Sequence, residues 1–320
     1  MLVFILRRTA IAVVLLALVS VISWFIISLT PGSPMPWSDL NPKISKETRE
    51  LYKKKFHFDQ PLYKQYFLLM GDLFQGKLVS NKDERPVLTK IGERIPATLA
   101  LNAVSLVMTF GLGIPLGIFS ARWARRWPGT LATVLAFLAI SLPSFWVSYL
   151  LCIFLVKYVQ IPLLGLHTFG VAHATPITAW LDTAWHLFAP AFVMAIGAIA
   201  VESRYLRASL LESLSEDYIR TARAKGLSET EVLYKHALRN SLRPFVTGIG
   251  FLLPALLGGS VIVESIFGYP GIGRLGYQAV MERDYPVLLT LNLVGAALVL
   301  AGNLLADILY AVVDPRVRLE

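Results

Sequence analysis

The 320-residue chain has a single cysteine, Cys152, so it can close no internal disulfide and build no cysteine-based metal site. Charge is also scarce: 16% of residues are charged, against about a quarter in a soluble domain. No Gly-x-x-x-x-Gly-Lys-[Ser/Thr] phosphate loop is present, which argues against nucleotide hydrolysis by this chain. His-Glu-x-x-His and Gly-x-Ser-x-Gly are missing too, and with them the signatures of an intramembrane zinc or serine hydrolase. The histidines (His57, His167, His173, His186, His236) lack metal-ligand spacing, leaving at most weak metal contact. There is no evident inverted repeat with midplane ionisable groups, as a secondary transporter would want.

What the chain does have is apolar residues, 55% of the total, gathered into charge-free windows at 9–38, 97–121, 129–156, 183–201, 244–263 and 285–306. A bilayer core takes about 20 apolar residues per helix, and lipid offers backbone groups no partner outside the segment. The reading is therefore all-α, a polytopic membrane protein with six transmembrane helices and a helical external loop after the first. The fourth window is the weakest. Its Leu187, Phe188, Phe192, Val193, Ile196, Ile199 and Val201 supply only about −2 to −4 kcal/mol of insertion free energy. His186, Pro190 and Gly197 oppose that, so this helix is expected to insert with help from its neighbours. Arg7 and Arg8 precede a first run longer than a signal-peptide core, with no Ala-x-Ala site after it, and a retained anchor is expected.

The net charge of +9 fits membrane topology better than nucleic acid. With the N-terminus in the cytoplasm, inner segments hold fifteen Lys/Arg and short outer segments three (Lys157, Arg274, Arg283). The long outer loop, roughly 31–95, holds the other twelve, but long segments cross largely regardless of charge. Both termini are expected inside. That outer loop should form a basic helix from about Ser45 to Lys55 and a second from Pro61. On the second, Tyr63, Tyr66, Phe67, Met70 and Phe74 fall on one aromatic face, suited to the membrane interface or, less readily, to an external partner.

Gly111, Gly113, Pro115 and Gly117 mark the second window, Pro143 the third, and Gly248, Gly250, Pro254, Gly258 and Gly259 the fifth. Gly113 and Gly117 form a small-xxx-small pair that lets helices approach closely. Glu202, Glu264 and Asp307 sit near span ends and are expected to pair with basic residues or meet interface water; an inner-segment arginine is the natural partner of Asp307.

Between the fourth and fifth windows lies the most informative stretch, EDYIRTARAKGLSETEVLYKHALRNSLRP, from Glu216 to Pro244. Ser215 can cap a short helix with Glu216 and Asp217 at its positive end. Arg220, Arg223 and Lys225 lie toward the other end, and Gly226 supplies a left-handed stop. Ser228-Glu229-Thr230-Glu231 is a capping box, with Leu227 placed to staple against Val232. Tyr218, Ile219 and Ala222 form an apolar stripe that calls for a protein groove.

This segment resembles the cytoplasmic "EAA" loop of ABC importer permeases in the form found in the dipeptide/oligopeptide/nickel permease family. Arg220-Thr221 stand where Glu-Ala would in the general pattern, His236 replaces an aliphatic residue and Arg239 takes the proline position, while Ala222, Gly226 and Leu238 keep theirs. The likeness extends along the chain. It runs from Leu6-Arg7-Arg8 and Pro31-Gly32 through Asp59-Gln60-Pro61-Leu62, Gln65-Tyr66 and Pro96-Ala97-Thr98-Leu99 to Glu264-x-Ile266-Phe267. Pro270-Gly271-x-Gly273-Arg274, Arg283-Asp284-Tyr285-Pro286-Val287 and Asp314-Pro315-Arg316 complete it, and Gly76-Lys77-Leu78 departs from it.

The resemblance implies a type I importer permease fold. Residues 1–94 would be an N-terminal helix plus extracytoplasmic loop, and 95–320 the transmembrane domain with its cytoplasmic coupling loop at about 204–243. It implies a non-catalytic subunit in the bacterial plasma membrane, paired with a second homologous permease. Two ABC ATPase subunits would bind ATP and Mg, an extracytoplasmic binding protein would deliver substrate, and the chain itself would bind no cofactor. Membrane lipid would surround it. The ATPase-coupling residues would be Glu216, Asp217, Tyr218, Ile219, Arg220, Thr221, Ala222, Arg223, Ala224, Lys225 and Gly226. Di- or oligopeptides are the expected cargo, with nickel chelates or glutathione-type molecules as alternatives in the same family. Pocket residues are not legible.

Overall fold

The computed structural model describes residues 2–30, 35, 45–160, 162–171, 175–248, 256 and 259–313. These are almost entirely helical, the only β pairing among them being an isolated bridge between Val79 and Pro86. Four helices are long and apolar enough to cross a membrane: Phe4–Leu29, Val87–Arg122, Pro176–Ser213 and Tyr285–Leu305. The expected third span is not one rod. It breaks into α6 (Trp127–Ser141) and α7 (Ser144–Phe154, continued by a π-helical turn Leu155–Val159), bent by 102°. Pro143 causes the break, because the residue before a proline is pushed out of the helical region; Leu142 accordingly sits at φ −83, ψ 126. Nine of the twenty residues of the fifth expected window, 244–263, lie outside the described residues, and among the described residues the count stands at four spans plus one bent pair.

The chain divides into two compact units. One comprises Met1–Thr98, Leu253–Val261 and Pro270–Glu320; the other comprises Leu99–Leu252 and Ile262–Tyr269.

In the first unit α1 (Leu2–Leu29) packs along the last helix, and near its N-terminal end Arg8 meets Asp307 at 3.1 Å, the inner arginine expected as its partner. Ser45 caps α2 (Lys46–Lys55) by accepting the Thr48 N–H at 3.1 Å. α3 (Leu62–Phe74) begins right after Pro61 and lies against α1: Tyr66 Oη meets Ser20 Oγ at 2.6 Å, and Trp24 Nε1 donates to the Leu62 carbonyl at 3.1 Å. This contact splits the expected aromatic face. Tyr66 and Met70 turn into the core, while Tyr63, Phe67 and Phe74 stay exposed. A 3.6-residue period cannot hold five such positions on one narrow strip once one side of the helix finds a partner.

In the second unit α5 (Ile95–Arg122) presses on α8 (Pro176–Ser213) through the small residues singled out in the sequence. A Cβ on Gly117 would stand 2.9 Å from the Ser203 carbonyl oxygen, and one on Gly113 would stand 3.4 Å from Ile199 and Glu202. α8 starts at a capping box made by Thr175 and Thr178. Half of its apolar window is buried in the chain, against 17–22% for the other three long helices. Weak lipid affinity is thus offset by packing on neighbours, as its composition called for.

Candidate functional site

α8 does not stop at the apolar window. It runs on to Ser213 and delivers the chain to α9 (Asp217–Ala224). Glu216 occupies the N-cap position at φ −72, ψ 154 without a side-chain cap bond. Ser215 is not the cap: its hydroxyl donates back to the Glu212 carbonyl at 2.7 Å, closing the preceding helix instead. Asp217 in the first turn accepts from Arg220 at 3.1 Å. At the other end Gly226 adopts φ +82, where a side chain would be strained. Its N–H reaches the Arg223 carbonyl at 2.9 Å, and the Leu227 N–H the Ala222 carbonyl at 3.4 Å, the paired bonds of a Schellman stop.

α10 (Glu229–Glu231) begins at once. Ser228 Oγ accepts the Glu231 N–H at 3.3 Å, and the Glu231 carboxylate accepts the Ser228 N–H at 3.2 Å, so the capping box forms as written. The helix continues through a π-helical stretch (Val232–Ala237) into α11 (Leu238–Ser241), followed by α12 (Arg243–Gly248). A forked pair spans the glycine corner: Arg223 Nε and Nη2 donate to the Glu229 carboxylate at 2.8 and 3.1 Å. Those bonds hold the Glu229 carboxyl below its ordinary range and push the Arg223 guanidinium higher still. Hydrogen bonds from Ser228 likewise lower the Glu231 carboxyl.

The structure overturns one expectation about α9. Ile219 is fully buried and Ala222 nearly so, packed with Leu206, Leu210, Val232 and Leu233 in a core of the chain's own making. Leu227 packs against that core, of which Val232 is a member. Tyr218 is only marginally exposed and its hydroxyl is bonded to Ser213 Oγ. The apolar stripe therefore serves this chain and is not a free docking face. An eight-residue helix is unstable alone, so its apolar side must be covered before it can present anything. What remains outward is a polar ridge at i, i+3, i+4 and i+7: Asp217, Arg220, Thr221 and Ala224. Glu216, Arg223, Lys225 and Gly226 are exposed around it.

The other candidates resolve as follows. His167 and His186 both approach Asp182, at 3.8 and 3.4 Å, but no three His, Cys, Asp or Glu among the described residues are placed to hold a metal ion. His173 lies outside the described residues. Glu264, in α13 (Val261–Ile266), is fully buried and so removed from interface water. Glu202 is half-buried against Gly113.

Sequence reasoning missed a buried polar knot in the first unit. Between α14 (Ile272–Glu282) and α15 (Tyr285–Val313), Arg283 turns the chain at φ +56 and Asp284 caps α15. The Asp284 carboxylate, 2% exposed, accepts from the Ser80 hydroxyl at 2.5 Å and the Asn81 N–H at 3.3 Å, with the Lys90 ammonium at 3.7 Å. Asn81 Nδ2 donates to the Arg283 carbonyl at 3.1 Å, and the Tyr52 hydroxyl donates to the Asn81 carbonyl. Lys90, which begins the approach to α5 on α4 (Val87–Gly92), also bonds Asp83 at 3.0 Å. Burial raises the Asp284 carboxyl despite these partners. Burial alone would raise Asp83 too, but bonds from Lys90, Ser80 and the Arg85 N–H outweigh it and hold that carboxyl low. Only the Asp-Tyr-Pro helix start was a readable signal, since Asp is a favoured N-cap.

The described residues thus make a helical membrane protein with a capped, self-packed hairpin on one long span. Residues 113–319 match the family described as "Binding-protein-dependent transport system inner membrane component", and residues 1–102 match its N-terminal counterpart. The chain belongs to this family and is a permease subunit of an ABC importer. It is 38% identical to the oligopeptide transport system permease protein AppB of Bacillus subtilis (strain 168), over 98% of this chain and 99% of that one. It is 37% identical to the dipeptide transport system permease protein DppB of Lactococcus lactis subsp. cremoris (strain MG1363), over 99% of both chains. The glutathione transport system permease protein GsiC of Escherichia coli (strain K12) is 36% identical, again over 99% of both. Among solved structures, a chain of the MetNI methionine ABC transporter in an inward-facing form matches with a TM-score of 0.55 at 20% identity, covering 72% of this chain and 99% of that one.

Proposed function

We propose that this chain forms half of the translocation pathway of an ATP-driven importer and that α9 is the lever through which force enters it. One observation carries this reading. The element is fastened to its own chain by Ile219 and Ala222 and stopped by Gly226, yet it leaves Asp217, Arg220, Thr221 and Ala224 outward. At 1.5 Å per residue α9 is about 12 Å long, a short rigid peg of the size a groove on a partner can seat. A push on the ridge passes through the Ile219 core to Leu206 and Leu210, and so into the spanning part of α8.

In this reading two ATPase subunits carry ATP and Mg, and this chain hydrolyses nothing. A second permease completes the pathway, a binding protein delivers cargo from outside, and both termini of this chain are cytoplasmic. The cargo is a di- or oligopeptide. The relatives named for oligopeptide, dipeptide and glutathione transport differ by only two percentage points in identity, so a glutathione-type cargo is the second reading.

Gly226→Val in the reconstituted transporter tests the lever. A β-branched residue in the left-handed region costs about 1–2 kcal/mol, which should shift the corner without dissolving the complex. Assembly is expected to persist while cargo-stimulated ATP turnover falls several-fold. Normal stimulated turnover would sink the assignment. Competition of labelled dipeptide uptake by glutathione separates the two cargo readings.

A further inference from the structure

Among the described residues, some arginines hold a carboxylate and others do not. Arg8, Arg85, Arg220 and Arg223 each hold a carboxylate, at 3.1, 2.7, 3.1 and 2.8 Å. Arg204 and Arg207, one turn apart on α8, have no carboxylate partner among the described residues. Both face α6. The Arg204 guanidinium lies 3.9 Å from the centroid of the Phe137 ring. Arg207 Nη1 donates to Thr133 Oγ1 at 2.9 Å, while its Nε is buried with no hydrogen-bond partner among those residues. Thr133 spends its own proton on the Gly129 carbonyl at 2.8 Å, so its lone pair faces the arginine and fixes it.

A guanidinium has five donors in a rigid fork, and a half-buried one with so few engaged is suited to a doubly accepting oxyanion. The position selects which oxyanion. Arg204 and Arg207 lie three and six residues beyond Val201, the end of the apolar window, or about 5 and 9 Å along the helix. The headgroup zone occupies roughly the first 5–8 Å outside the hydrocarbon core on each side. On α6, Val134 and Leu138, each next to a residue of this groove, are apolar and about half exposed, at 47% and 55%, as a lipid-facing surface would be.

We propose that Arg204, floored by Phe137, and Arg207, positioned by Thr133, bind the phosphate of an anionic phospholipid in the leaflet that meets the hairpin end of α8. The guanidiniums supply charge and paired donors, and the ring beneath Arg204 keeps its fork in plane with the headgroups.

The test is native mass spectrometry of the intact transporter complex, purified in detergent and titrated with phosphatidylglycerol or phosphatidylcholine. Phosphatidylglycerol adducts are expected at low lipid concentration, and phosphatidylcholine adducts only at much higher concentration. Arg204→Gln with Arg207→Gln should weaken phosphatidylglycerol binding on the order of a hundredfold, the loss of two charge-assisted hydrogen-bonding groups at about 1.5 kcal/mol each. Arg122→Gln with Arg125→Gln removes the same charge from exposed positions and should leave it unchanged. If the glutamine pair fails to fold, Arg204→Lys with Arg207→Lys keeps the charge without the fork, and intermediate binding is expected. Equal weakening by both glutamine pairs, or equal binding of the two lipids, would overturn the proposal. So would displacement of the lipid by equimolar inorganic phosphate, which would point to a free anion. Loss of a protein subunit from the Arg204/Arg207 variant with lipid binding intact would overturn it in favour of a partner's carboxylate.

Discussion

The hairpin after α8 and the polar knot around Asp284 are both small and ordered, but they are held in opposite ways. The hairpin is fastened by its neighbours in sequence: the capping box closes over three residues, and the Arg223–Glu229 fork over six. The knot joins Ser80 to Asp284, 204 residues apart, and Asn81 to Arg283, 202 apart. Local fastening leaves a piece that can move as a body. Fastening through a buried charge locks distant segments together and tolerates little disturbance. The hairpin thus suits a lever, and the knot suits an anchor for the long loop that precedes α5.

The largest effect that would sharpen this contrast is expected at Asp284. Asp284→Ala leaves the Ser80 hydroxyl and the Asn81 N–H without their acceptor in a buried site and takes one of its two carboxylates from Lys90, a loss of about 3–5 kcal/mol. Thermal unfolding of the purified protein measures it, and a smaller loss than at any hairpin cap would break the ranking.

Ile219→Ala comes next. Emptying a fully buried position should cost about 2–5 kcal/mol and expose the hairpin amides to hydrogen exchange. Thr221→Ala on the outward ridge should stay within about 0.5 kcal/mol. If the threonine change proved the costlier, the inward and outward faces of α9 would have been assigned the wrong way round.

Ser228→Ala should remove about 1 kcal/mol, with faster exchange confined to the hairpin. A change of equal size in the loop around Ser80 would contradict local fastening.

Acidification should give the smallest effect, with opposite signs in the two regions. Glu229 and Glu231 have folded values held below the ordinary 4.5, so their contribution is present above that value and is lost as pH falls through the depressed ones. Asp284 is raised above its ordinary 3.8, so its contribution is full below that value and is lost as pH rises through the elevated one. Asp83, held low, opposes Asp284 within the knot. Segment-resolved exchange, corrected for intrinsic rates, should therefore show the hairpin loosening more than the knot between pH 5 and about 3. Equal loosening would count against the two carboxyl environments described.

Charge-free windows made the long helices legible, because lipid imposes a length and a composition on every residue that meets it. The Gly226 stop and the Ser228 box were legible because each is completed within a few residues. Pro143 announced a disturbance but not its size; a 102° break depends on what α6 and α7 each find to pack against on α8. Ile219 and Ala222 were recognised as an apolar stripe, yet sequence alone could not say whose groove they fill.

The sequence by itself determined the long apolar helices, where the hairpin turns, and that this is a membrane permease, since all of these follow from local backbone preference, hydropathy and motif order. Tertiary structure alone decided which side of α9 is free, which arginines keep a carboxylate, and that Asp284 answers to Ser80. Side-chain partnership across scores or hundreds of residues is set by how helices pack in space, and no local pattern encodes that distance.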